Sequence, residues 1–232
     1  MKRKKLGTTE KGNVLFLILI AVALFAALSY AVTQSSRSGG GDISDEQAKL
    51  LTAQLLSYAN NMKTAVTRMK ITNGCTDADI SFETDMSAYD YSHSPTAPEK
   101  CRVFHPNGGK IQYWENPDWL RSDLDFNSVK TYLWWIVGDQ DIEGLGSPAS
   151  ELLLNFVGID YKICREINRL AGITYSGDTP PTASGSNYAV PFKGVYTLAT
   201  DSEDGTFANQ SFFCSQTGGS TNPVFTFVLL ER

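Results

Sequence analysis

The densest run of chemistry-bearing side chains is Asp139-Gln140-Asp141-Ile142-Glu143-Gly144. It matches the opening half of a calcium-binding loop: alternate acids converge on a hard cation and glycine supplies the bend. The pattern then breaks, because its closing position falls on Ser150 and the next acid, Glu151, comes one residue late. Asp139, Asp141 and Glu143 are therefore candidate calcium ligands, weighed against an acidic turn between two strands. No other cofactor is implied. His93 and His105 lie in polar stretches without a Ser, Cys or Asp spaced for a triad. Nucleophile-elbow, phosphate-loop, dinucleotide and paired-histidine zinc patterns are missing from the sequence. No residue is assigned a catalytic role, no small-molecule substrate is indicated, and the chain is expected not to be an enzyme.

Four cysteines stand at Cys75, Cys101, Cys164 and Cys214, none in a C-x-x-C pair. With only two histidines, zinc spacing is absent. An even count reads as two disulfides in an oxidising compartment, against four buried free thiols. Three connectivities exist. Pairing Cys75 with Cys101 and Cys164 with Cys214 is favoured, because each bridge joins the flanks of an irregular segment. Trp114, Trp119, Trp134 and Trp135 offer a carbohydrate- or protein-binding surface, or ordinary core. If Trp134 and Trp135 share a strand they face opposite ways, one into the core and one exposed or under a loop.

The net charge of −5 conceals an asymmetry. Residues 1–12 carry Lys2, Arg3, Lys4, Lys5 and Lys11 against Glu10, leaving an acidic remainder that disfavours nucleic acid. From Gly12 to Ser36 no residue is charged, and Val14–Leu28 is unbroken apolar sequence. This predicts a transmembrane helix over 13–34 with the basic end cytoplasmic. The implied organisation is a basic leader (1–12), the membrane helix (13–34), a Gly/Ser linker (35–43) and an extracytoplasmic domain (44–232). Localisation follows as a single-pass inner-membrane protein with its C-terminal domain periplasmic or extracellular, and the lipid bilayer as a partner. A signal peptide cut after Ala31 is the competing fate, and would release a secreted hydrolase.

The run Lys11-Gly12-Asn13-Val14-Leu15-Phe16-Leu17-Ile18 resembles the class III leader of type IV pilin-like and pseudopilin proteins. The resemblance implies processing between Gly12 and Asn13, assembly with other pilin-like subunits, and a structural rather than catalytic role. Leu17 stands where that family usually carries Glu at the fifth mature position. A plain single-pass protein with an interaction ectodomain is the alternative.

The elements beyond the linker predict an α+β body, a long amphipathic helix on a mostly antiparallel sheet with short helical insertions. Ser44 and Gln47 form a capping box, and Ala48, Leu51, Leu55, Tyr58, Met62, Ala65, Val66 and Met69 recur at helical spacing up to Gly74. Residues 75–110 read as a long loop with a turn at Asn107–Gly109, and Ile111–Trp114 as a short strand. A strand over 129–137 is expected to turn at Gly138-Asp139 into a partner running through Ile142. Helices are expected over 149–156 and, capped by Asp160, over 161–170. Three antiparallel strands are expected at 194–200, 206–215 and 223–231.

Overall fold

The computed structural model describes residues 16, 18–24, 43–85, 89–114, 118–121, 123–124, 134–183, 190–197, 202–203, 205–217 and 222–232. Two units divide the chain, Met1–Asp42 and Ile43–Arg232. In the first, Phe16 and residues 18–24 are helical. The expected transmembrane helix is corrected here: among the described residues no helix is long and apolar enough to cross a membrane. The single-pass inner-membrane localisation rested on that helix and is withdrawn with it. Gly12, Asn13 and the linker at 35–42 lie outside the described residues.

The second unit is α+β. Its first element is α1 (Asp45–Asn73), begun by the expected capping box: the Ser44 hydroxyl accepts from the Gln47 N–H, and the Gln47 side chain accepts from the Ser44 N–H. Gly74 closes it, donating its N–H to the Met69 carbonyl. Leu55, Ala59, Met62, Val66 and Met69 form a buried stripe against β6 and α2. Burial of each large side chain in that stripe is worth about 1.5–3 kcal/mol. Helix α2 (Tyr161–Leu170) starts where expected, with the Asp160 carboxylate accepting from the Lys162 N–H.

Among the described residues six strands make one sheet: β1 (Trp134–Ile142), β2 (Glu151–Val157), β3 (Thr182–Ala183), β4 (Ser202–Glu203), β5 (Phe212–Thr217) and β6 (Pro223–Leu230), in the order β3-β5-β6-β2-β1-β4. The four longer strands pair antiparallel, and the two-residue strands add in parallel at the edges.

Several expectations are corrected by this topology. The segment expected as a helix over 149–156 is strand β2. Leu152, Leu154 and Phe156 face the core beneath α1, while Leu153 faces a second cluster with Val137, Phe213 and Val228. A strand covered on both faces loses its period-two signature and reads as a plain apolar run. Gly138 does not turn the chain; β1 runs straight through it, with an irregular register between Val137 and Gln140. The glycine serves close packing instead, since a Cβ there would sit 2.6 Å from the Phe192 ring. Residues 111–114 form no strand, and no strand covers 194–197; β4 and β5 follow instead.

Both long edges of the sheet are finished by side chains. At β5 the buried Asn168 carboxamide donates to the Cys214 carbonyl (2.7 Å) and accepts from the Cys214 N–H (2.8 Å). The Gln216 N–H donates to the Pro181 carbonyl. At β1 the Tyr91 hydroxyl accepts from the Ile136 N–H (3.1 Å) and donates to the Trp134 carbonyl (3.3 Å), and the Phe192 N–H donates to the Ile136 carbonyl. Backbone groups that would otherwise recruit another strand are thereby used.

Candidate functional site

A groove of about 630 Å³ runs along the outer face of α1. Its floor is the row Tyr58, Asn61, Thr64, Ala65 and Arg68, which three- and four-residue spacing places on one side of the helix. Its wall is the segment from Gly109 to Trp114.

That wall is built from the sequence upward. The disulfide Cys75–Cys101, with Cα atoms 5.8 Å apart, returns the chain to the end of α1. The turn at 105–109 then folds back so closely that a Cβ on Gly109 would lie 2.3 Å from the Val103 carbonyl oxygen. Only glycine permits that approach. The wall's backbone is spent on the fold. The Gly109, Lys110 and Ile111 N–H groups donate to the Arg102, His105 and Val103 carbonyls. The Gly109 carbonyl accepts from Arg68 Nη2 (2.6 Å), and the Gln112 carbonyl from the Tyr58 hydroxyl (3.0 Å). Burial pushes the Tyr58 phenol well above its ordinary pKa, so it remains a donor.

At one end of the groove stands Trp114, 36% exposed. Its ring lies 4.5 Å from that of buried Trp119 and 5.7 Å from that of Tyr58, and its carbonyl accepts from Trp134 Nε1 (2.8 Å). An exposed aromatic is thus held rigid by three neighbours. Among the described residues the groove lining contains Arg68 and Lys110 and no carboxylate. Among the described residues neither cation is in an ion pair, and this in a chain of net charge −5.

The residues singled out from the sequence lie elsewhere. Asp139 and Asp141 sit within β1, and Glu143 in the turn after it, its carbonyl accepting from the Asn209 N–H. An extended strand spreads such acids at about 3.3 Å per residue instead of wrapping them around an ion. Among the described residues no group of three or more His, Cys, Asp or Glu is placed to hold a metal, so the calcium expectation finds no site. The four cysteines form Cys75–Cys101 and Cys164–Cys214, the pairing favoured from the sequence. Trp134 is buried, whereas half-buried Trp135 stacks on Tyr89 of the covering loop, their ring centres 5.1 Å apart. His93 is buried, and desolvation holds its pKa below the ordinary histidine value.

Sequence reasoning missed the groove. Trp114 was noted, but nothing in its own neighbourhood points to Arg68, more than forty residues earlier on another element. The one available signal was the polar row Asn61, Thr64 and Arg68 on an otherwise amphipathic helix. Comparison with protein-family models, curated proteins and solved structures finds no match to the chain.

Proposed function

We propose that the chain is a non-catalytic, pilin-like structural subunit whose 43–232 unit is a contact module, with the α1 groove as its contact face. The observation that carries this reading is the contrast between closed sheet edges and an open helix face. Strand addition at β5 and β1 is blocked by Asn168 and Tyr91, whereas the groove presents an exposed tryptophan and two cations, Arg68 and Lys110, that form no ion pair among the described residues. A long helix laid over a mostly antiparallel sheet, with disulfide-stapled loops, also supports it. Disulfides of this kind persist in oxidising surroundings.

Two measurements test the proposal. N-terminal sequencing of the native protein should find Asn13 as the first residue, and a native chain starting at Met1 would remove the pilin-like part. Sedimentation of the processed full chain should show concentration-dependent assembly. A monomer at every concentration would remove the assembly part.

A further inference from the structure

We propose that the α1 groove is a binding site for an acidic saccharide, a short chain of carboxylate-bearing sugar rings. The proposal rests on the groove being the contact face, and names what it contacts.

Three features of the lining select this chemistry. First, the start of the wall has its backbone committed to the fold: the N–H groups of residues 109–111 and the carbonyls of Gly109, Gln112 and Trp114 are bonded within it. A peptide adding as a strand needs a row of free main-chain groups, and residues 109–111 present no free N–H to one. A peptide helix needs a stripe of apolar pockets at helical spacing. The floor instead presents Asn61, Thr64 and Arg68, all exposed, around a single buried Ala65. Second, recognition is left to side chains suited to polyhydroxylated rings. The amides of Asn61 and Gln112 can exchange hydrogen bonds with hydroxyl groups in either direction, and the Thr64 hydroxyl, which donates to the Asn60 carbonyl, can accept one. Trp114 gives a flat apolar surface on which a sugar ring can lie. Its backing by Trp119, Tyr58 and Trp134 fixes that surface before the ligand arrives, which lowers the ordering cost of binding. Third, the charge is one-sided. Arg68 and Lys110 face the groove, and among the described lining residues no carboxylate neutralises them, which favours a carboxylate over a neutral sugar.

The test is calorimetric titration of the full-length protein with an oligogalacturonate, the neutral galactose oligomer of equal length, and a glutamate-rich peptide. The oligogalacturonate should bind, the neutral oligomer about tenfold more weakly, and the peptide not at all. Added salt should weaken only the acidic sugar. Trp114→Ala and Lys110→Gln should each lower its affinity about tenfold, or about 1.4 kcal/mol. Neither side chain is buried in the core, and an unchanged thermal midpoint would confirm that each variant is folded. Arg68→Lys, which keeps the charge but cannot pair in parallel with a carboxylate, should lose less. No binding of the oligogalacturonate, equal binding in both variants, or equal binding of the peptide would each overturn the proposal. A chain that starts at Asn13 and assembles, yet ignores the sugar, sinks this inference and leaves the subunit reading intact. Sugar binding by a chain that starts at Met1 and stays monomeric does the reverse.

Discussion

At the β5 edge a carboxamide completes the sheet; at the β1 edge a phenol and a loop amide do so. Asn168 offers one donor and one acceptor, as a strand residue would, at 2.7 and 2.8 Å. It lies four residues after Cys164 on α2, and Cys164 is bridged to Cys214, the residue whose backbone Asn168 engages. Tyr91 meets the same need with one oxygen acting both ways at 3.1 and 3.3 Å. Its ring packs against Phe82 and Tyr89, with no covalent tie to β1. The same physical demand, that buried backbone groups find partners, is met covalently on one side and by aromatic packing on the other. The β5 edge should therefore be the harder to open.

Removing the covalent hold gives the largest expected effect. Cys164→Ser with Cys214→Ser opens a loop of 50 residues, and should cost about 4 kcal/mol in the chain-entropy account. The matching change at Cys75 and Cys101, across 26 residues, should cost about 3.5 kcal/mol. Guanidinium unfolding of both variants ranks them; a smaller loss at 164–214 would break the comparison. Next comes Asn168→Ala, which leaves two buried groups of Cys214 unpaired, at about 2–4 kcal/mol in total. Hydrogen exchange at the Cys214 amide should accelerate, and self-association through β5 should appear at high concentration. Tyr91→Phe should cost less, about 1–3 kcal/mol, with faster exchange confined to Ile136. Equal losses at the two edges would show that the disulfide adds nothing to the β5 closure.

The smallest effect at neutral pH comes from a third side chain that caps β1. Glu151 is buried and accepts from the Ile142 N–H (2.9 Å) at the end of the irregular stretch. Desolvation, with Asp141 and Glu231 nearby, raises its pKa from 4.5 to about 7. The folded state therefore holds a proton that the unfolded chain has released between those values. Its stabilising contribution is complete below pH 4.5 and is lost as pH rises through about 7. Glu151→Gln should flatten that part of the stability–pH curve, and an unchanged slope would place the proton elsewhere.

Parts of this architecture were legible beforehand because their causes are local. The Ser44–Gln47 box and the Asp160 cap act within one turn, and both helices begin where those residues stand. The strand at 223–230 runs apolar between turn residues and was expected close to its observed bounds, whereas the strand at 212–217 was expected to start at 206, where a short 3-10 turn stands instead. The segment from Glu151 to Val157 was not legible. Its side chains are buried on both faces, and a short apolar run without a polar side fits either secondary structure. Gly138-Asp139 looked like a turn because glycine's local freedom is visible in sequence, whereas the Phe192 ring that needs its missing side chain is not.

By itself the sequence determined where the helices start and stop, which cysteines could close which loops, and that the body mixes one long helix with strands. These follow from capping, periodicity and loop closure, all of which act over short stretches of chain. Only the tertiary structure decided that no described helix spans a membrane, that Asp139 and Asp141 lie along a strand with Glu143 in the turn after it, and that side chains seal both sheet edges. It alone brought Trp114 and Lys110 beside Asn61 and Arg68. Each of those outcomes depends on residues far apart in sequence meeting in space, and spacing along the chain carries no record of which distant partner a side chain will find.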